Sequence, residues 1–165
     1  MKVVIIHCII MQALFFLSEA APTNITGDIS AELVYLGFVD GKNYFTYEMD
    51  QSWFEARTLC QDDGLILASI TSDAQLAFLK SQTVHAKIWG HEHWIGARDA
   101  QLPRALSYDD TGMEPPTLTG IEWIYRGDDY STCGAYNPGK SSTTPDPDLI
   151  MFPCVFGRPF LCSTL

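Results

Sequence analysis

Four cysteines follow residue 20, one early and three late, at Cys60, Cys133, Cys154 and Cys162. Four cysteines allow three pairings, and a bridge between the first and the last would enclose nearly the whole domain and pin its end to an early segment. The fifth cysteine, Cys8, lies in the apolar run Val3-Val4-Ile5-Ile6-His7-Cys8-Ile9-Ile10-Met11-Gln12-Ala13-Leu14-Phe15-Phe16-Leu17 behind Lys2. Small residues at Ser18-Glu19-Ala20 and Ala21-Pro22 give the cleavage spacing of a secretory signal, a better fit than a membrane anchor. Removal of residues 1–20 takes Cys8 with it and leaves an even set of thiols in an oxidising compartment, where disulfides rather than zinc ligation are expected. The expected location is extracellular, with no membrane span after signal cleavage.

The expected organisation is a signal peptide at 1–20, a short N-terminal segment at 21–33 and one domain at 34–165, a length sufficient for a single core. Twenty Asp and Glu stand against ten Lys and Arg, for a net charge of −10. That balance argues against nucleic acid and anionic membranes as partners. Asn24-Ile25-Thr26 is an N-glycosylation sequon in a polar stretch, and Asn24 is expected to carry a glycan.

Local signals place the elements. Leu33 to Phe38 is an apolar run, Asp40-Gly41 supplies a positive-φ turn, and Tyr44-Phe45-Thr46-Tyr47 resumes β-prone residues, which together read as a hairpin. Ser52 and Glu55 form a capping-box pair before Trp53, Ala56, Leu59 and Cys60 at helical spacing, with Gly64 as the stop. Leu65 to Ile70 is a buried extended link. Ser72 and Gln75 then cap a second helix, with Ala74, Phe78 and Leu79 expected on its inner face.

Beyond Lys80 punctuation takes over. Strand character is read at Trp89, Trp94 to Ala97, Leu106 to Tyr108, Ile121 to Tyr125, Val155-Phe156 and Phe160 to Cys162. Met113 to Gly120, with Pro115-Pro116, reads as irregular loop, and so does the Pro-, Gly-, Ser- and Thr-rich stretch from Asn137 to Pro147. Two early helices followed by short strands define an α+β domain.

These features in this order resemble the C-type lectin-like domain. The resemblance rests on Tyr44-Phe45, Trp53-Phe54-Glu55-Ala56 leading to Cys60, Leu67-Ala68-Ser69-Ile70, Trp94-Ile95-Gly96, and the spacing of Cys133, Cys154 and Pro159-Phe160-Leu161-Cys162. It covers Val34 to Cys162. It implies two helices flanking short antiparallel sheets, a long ligand loop, and the pairs Cys60–Cys162 and Cys133–Cys154. Closing about a hundred residues contributes on the order of 4–5 kcal/mol in the chain-entropy model, so all four cysteines are read as structural.

Many members of that family bind sugar through calcium, with a Glu-Pro-Asn or Gln-Pro-Asp triplet in the long loop and Trp-Asn-Asp before the third cysteine. Calcium takes six to eight oxygens, which such triplets help to supply. If Trp123 introduces the first triplet, the residues after Gly127 are Asp128-Asp129-Tyr130, with neither proline nor amide. Counting back from Cys154, the second triplet falls on Leu149-Ile150-Met151, which has no side-chain oxygen. Asp146 and Asp148 are the nearby carboxylates, read as a solvated loop. No cofactor is therefore expected, and calcium is not supported.

His91-Glu92-His93 precedes Trp94 with both imidazoles expected on one face of a strand; a zinc site would need a third ligand that the sequence does not name, so the two read as exposed polar residues. Neither Gly-x-Ser-x-Gly nor His-Glu-x-x-His occurs. The pairs Asp62-Asp63, Asp109-Asp110 and Asp128-Asp129 are adjacent, which suits turns better than acid/base catalysis. The reading is a non-enzymatic, secreted recognition module. Its expected partner is a glycan or glycoprotein held by Trp123, Tyr125, Asp128, Asp129 and Tyr130 without the usual calcium site. The alternative is a protein-binding domain independent of sugar and calcium. Trp53, Trp94, Tyr44 and Phe45 are assigned to the core.

Overall fold

The computed structural model describes residues 33–84, 88, 91–99, 105–125, 132–139 and 148–165. The signal segment, Asn24, Trp89, Asp128, Asp129, Tyr130 and Asp146 lie outside them.

The chain opens with β1 (Leu33–Val39) and β2 (Lys42–Gln51), joined at Asp40 and Gly41 with φ of 48° and 80°. Two successive left-handed residues match the twist of a two-residue hairpin, which is why Asp-Gly stands there. Helix α1 (Trp53–Asp62) starts at Ser52, whose hydroxyl accepts from the Glu55 amide while the Glu55 carboxylate accepts from the Ser52 amide. Both halves of the capping box are thus closed. The helix buries Trp53, Ala56 and Cys60 and stops before Gly64, at φ 71°. After β3 (Ile66–Leu67) comes α2 (Asp73–Val84).

The inner face of α2 departs from expectation. Leu79 is buried and Phe78 half-buried, but Ala74 is exposed, and Gln75, Leu76 and Gln82 turn inward instead. At about 100° per residue, Ala74 lies away from the stripe that runs through Leu76 and Leu79. Phe78 packs on Tyr44, with ring centroids 5.8 Å apart.

The second half contributes β4 (His93–Asp99), β5 (Leu106–Tyr108), β6 (Trp123–Tyr125), β7 (Thr132–Asn137), β8 (Asp148–Pro153) and β9 (Arg158–Ser163). Among the described residues the strands form one sheet in the order β1-β2-β9-β4-β7-β8-β6, with β3 on β9 and β5 on β4. The C-terminal strand thus sits in the middle. It pairs antiparallel with β2 and β3, and meets β4 in parallel at Trp94 and Phe160.

Three strand assignments differ from the sequence reading: β7 and β8 are strands where none is expected, and Val155-Phe156 is not one. Val155 and Phe156 are exposed in the turn between β8 and β9, where the Phe156 amide donates to the Pro153 carbonyl. The buried strand lies just before them, so that Leu149, Ile150 and Met151 belong to β8 and to the core. Prolines at 153 and 159 bracket the turn and override the β propensity of Val and Phe.

Cys60 is bonded to Cys162 and Cys133 to Cys154, the pairs that the resemblance implies, with Cα–Cα distances of 5.7 and 5.0 Å. Around them gather Trp53, Trp94, Ile150, Phe152 and Phe160; a second apolar cluster holds Tyr44, Ile70, Leu79, Ile95 and Tyr108. The buried indoles are satisfied by backbone oxygens: Trp53 Nε1 donates to the Ile95 carbonyl and Trp94 Nε1 to that of Gln51, each at 2.8 Å. Phe45 is only half-buried.

Trp53→Ala should lower unfolding free energy by about 3–5 kcal/mol through the cavity. Trp53→Phe should lose about 1–3 kcal/mol, chiefly because the Ile95 carbonyl is left unpaired. Urea unfolding of both variants tests the order, and a Trp53→Ala protein with the parent's midpoint would contradict this account of the core.

Candidate functional site

The loop after β5 is held at both ends. At its start, the Asp109 amide donates to the Gly96 carbonyl at 2.8 Å and its carboxylate pairs with Arg57. Asp110 accepts from Ser69 at 3.3 Å and lies 4.0 Å from Lys42 Nζ. Tyr108 anchors the same corner, donating from its hydroxyl to the Ile70 carbonyl at 2.7 Å. Burial, with a smaller contribution from Asp110, pushes its phenol well above the ordinary range, although the Ile70 amide, which donates to the phenol oxygen at 3.2 Å, pulls the other way. At the far end the Thr119 amide and hydroxyl both donate to Asp73, at 2.8 and 2.6 Å. Asp73 is in the first turn of α2, where a carboxylate also meets the positive end of the helix dipole. The Thr119 hydroxyl, then its amide, hold the Asp73 carboxyl below its usual range.

Between this loop and β6 lies a cleft of about 360 Å³. Leu106, Leu118, Ile121 and Leu149 supply its apolar lining, Pro115 and Pro116 a stiff wall, and Glu114, Glu122, Trp123 and Tyr125 its polar and aromatic surfaces. Trp123 is half-buried and Tyr125 exposed. The Trp123 ring settles onto β7 because residue 134 is glycine: a Cβ there would lie 2.7 Å from that of Ala97 and 3.1 Å from Trp123 Cζ3. Trp123 thus serves as anchor and lining at once.

Of the residues expected to bind, Trp123 and Tyr125 come together here, and Asp128, Asp129 and Tyr130 lie outside the described residues. Glu114, Pro115, Pro116 and Glu122 were not singled out by sequence reasoning. The rigid Pro-Pro pair between two acidic residues is the signal that could have drawn attention to them.

The positions that the resemblance assigns to the second calcium triplet are closed to a cation. Leu149, Ile150 and Met151 pair in parallel with Trp123, Ile124 and Tyr125 and antiparallel with Tyr136, Ala135 and Gly134, and all three are buried. Hard cations need oxygen ligands, so these residues do not fit calcium. Among the described residues no three His, Cys, Asp or Glu side chains gather as a metal site.

The histidine pair is also differently placed. Strand β4 begins at His93, so His91 is not on it; His91 is exposed, whereas His93 is fully buried. The ring of His93 is held between the His91 carbonyl at 2.8 Å and Glu48 Oε1 at 3.1 Å. Burial raises the affinity of Glu48 for its proton, but hydrogen bonds from His93 and Thr46 and the neighbouring imidazoles outweigh it, and the net shift is downward. A second cleft, of about 370 Å³, is lined by Glu48, Asp50, His91, Gly157, Arg158 and Pro159. Arg158 is engaged there by Glu92 at 2.7 Å and by the ring of Phe152, 3.8 Å from its guanidinium carbon.

A carboxylate with a depressed folded-state pKa stabilises above its unfolded pKa, and that contribution is lost as pH falls through the folded value. Acidification should therefore release Thr119 from Asp73, and Asp73→Asn should do so at neutral pH. Hydrogen exchange, taken relative to the intrinsic rate at each pH, should show a less protected Thr119 amide in both cases while β2 and β9 stay protected. Unchanged exchange at Thr119 would mean that Asp73 does not hold the loop.

Residues 49–164 match the family described as Lectin C-type domain. Among curated proteins, the rat (Rattus norvegicus) C-type lectin domain family 4 member F is 37% identical over 62 residues, which is 38% of this chain and 10% of that protein. The aligned stretch thus spans about a tenth of the relative's length. Among solved structures, the C-type lectin domain of murine dendritic cell inhibitory receptor 2, in complex with N-glycan, superimposes with a TM-score of 0.59 at 21% identity, covering 79% of this chain and 94% of that one. A calcium-independent C-type lectin from Saxidomus purpuratus gives 0.58 at 19%, covering 76% and 88%. Human lithostathine gives 0.54 at 19%, covering 88% and 99%. At these identities the structural likeness establishes the fold, and the match over 49–164 establishes the family: this chain belongs to the C-type lectin domain family.

Proposed function

We propose that this protein is a secreted, non-enzymatic lectin that takes a glycan in the cleft between the 113–121 loop and β6, without the usual calcium cage. The observation that carries the reading is the coincidence of two features at one place. The aromatic residues Trp123 and Tyr125 line the cleft beside carboxylates, and the strand beneath them has Leu149, Ile150 and Met151 where a cage would need oxygens. Aromatic rings offer a flat apolar surface to a sugar's C–H face, and carboxylates accept hydrogen bonds from its hydroxyls. Secretion and a glycan on Asn24 belong to the same proposal, supported by the apolar leader and the sequon.

The fold neighbours support a sugar ligand by analogy: one is described in complex with N-glycan and another as calcium-independent. Tyr125 is assigned the direct contact. Trp123 shapes the cleft from its seat on Gly134.

A glycan array run with calcium and again with chelator tests the reading. Binding should persist in chelator, and Tyr125→Ala should weaken it about tenfold or more, the scale of an aromatic hot spot, with an unchanged melting temperature. Binding abolished by chelator would overturn the metal-free site. An empty array would overturn the sugar and move the search to a protein partner. Millimolar calcium should also leave thermal stability unchanged, because a ligand raises stability only if the folded state binds it, by about 2.7 kcal/mol at a hundredfold excess over Kd.

A further inference from the structure

The charged groups of the cleft are of one sign. Glu114 and Glu122 are the ionisable acids of its lining, and no Lys, Arg or His lines it among the described residues. Nearby carboxylates have partners: Asp73 holds Thr119, Asp109 holds Arg57, and Asp110 holds Ser69 and Lys42. Glu114 and Glu122, by contrast, are exposed and take part in no hydrogen bond or ion pair among the described residues. The sequence after Tyr125 adds Arg126, Asp128 and Asp129, so the segment from 114 to 129 has four carboxylates against one guanidinium wherever those residues lie.

Resting on the glycan reading above, we infer that this cleft selects sugars by charge. It favours hexosamines with a free ammonium group over the matching N-acetylated or hydroxyl sugars, and disfavours sulfated or carboxylated ones. An ammonium bound in the cleft gains Coulomb attraction from the Glu114 and Glu122 carboxylates that line it, and the face of Tyr125 or Trp123 adds cation–π attraction. A sulfate or carboxylate in the same place meets like charge, with no Lys, Arg or His in the lining among the described residues to pair it. The protein's net charge of −10 acts in the same direction at longer range. Each exposed contact is weak, so the summed preference is about three- to tenfold, and it shrinks with salt because the charges face solvent.

The test is binding of matched oligosaccharides to the full chain and to the Glu114→Gln/Glu122→Gln variant, at mildly acid pH and low salt. Glucose- and galactose-based sets would carry hydroxyl, acetamide, ammonium or sulfate at one fixed ring position. The expected order is ammonium about three- to tenfold tighter than hydroxyl, acetamide close to hydroxyl, and sulfate weakest. The order should flatten in the double variant, whose melting temperature should match the parent's, and flatten again at high salt. If the sugars bind in a Tyr125-dependent way with no charge order, or the order survives in the double variant, the charge inference is overturned and the glycan reading stands. An oligolysine of equal charge that competes as well as the amino sugar would overturn it too, since the cleft would then read charge without a sugar. If no sugar of any kind binds, both readings fall together.

Discussion

The structure depends on strand β9 being inserted between the two halves of its own chain. On one side lie β1 and β2; on the other, β4, β7, β8 and β6. Among the described strands, these two groups share ladder hydrogen bonds only through β9. Strand β9 must therefore find a slot framed on one side by residues more than a hundred positions earlier, as the pairing of Phe45 with Cys162 illustrates. Such contacts come late and at high loop-closure cost. The Cys60–Cys162 bridge spans 102 positions and fastens this same strand to α1. In the chain-entropy account a loop of that length contributes on the order of 4–5 kcal/mol, comparable with the net stability of a small domain.

That closure separates the frame from the recognition surface. The apolar cluster of Trp53, Trp94, Phe160 and the cystines surrounds the inserted strand. The cleft lies at the other margin, where β6 is the terminal strand. Its fixed points among the described residues include Asp73 with Thr119, Arg57 with Asp109, Tyr108 with Ile70, and Trp123 on Gly134. Side chains projecting from that margin can change without disturbing the closure. Tyr125, Glu114 and Glu122 are of this kind, whereas Trp123 is not, because its ring fills space that β7 leaves for it.

The sequence was legible wherever a signal is local. The Asp-Gly hairpin, the Ser52/Glu55 capping box and the helix to Cys60 all appear as read, because each is set by residues within a few positions of one another. Strand β7 was missed because residues 132–136 are buried throughout and so lack the polar alternation that marks a half-buried strand. Strand β8 was shadowed by the acidic and proline-rich stretch before it, and Val155-Phe156 drew the assignment a few residues too far. Ala74 is expected on the inner face of α2 with Phe78 and Leu79, and lies outward because the buried stripe runs through Leu76 and Leu79. His93 looked like a solvated flank and is buried, because the Glu48 carboxylate that receives it belongs to β2, 45 positions earlier. The cleft was half legible. Trp123 and Tyr125 stood out as aromatics near the long loop, but only tertiary contact brings Leu106, the Pro-Pro wall and Leu149 to the same place.

Strand β8 links the two parts of this picture. A loop that depends on an ion for order is stabilised only while the ion is bound, and by an amount that varies with ion concentration. Leu149, Ile150 and Met151 act differently. Each is buried between β7 and β6, and burying an aliphatic side chain of this size contributes about 1.5–3 kcal/mol relative to exposure. The Cys133–Cys154 bridge ties β8 itself to β7, from Cys133 within β7 to Cys154 just past the end of β8. Strand β6 is then aligned by its parallel register on β8, which places Trp123 beside Leu149 and Tyr125 beside Met151. The aromatic side of the cleft is therefore positioned by apolar burial and a covalent link, contributions present at any calcium concentration. On the proposed reading, the energy that orders this edge comes from the core, and the carboxylates above it remain available to the ligand.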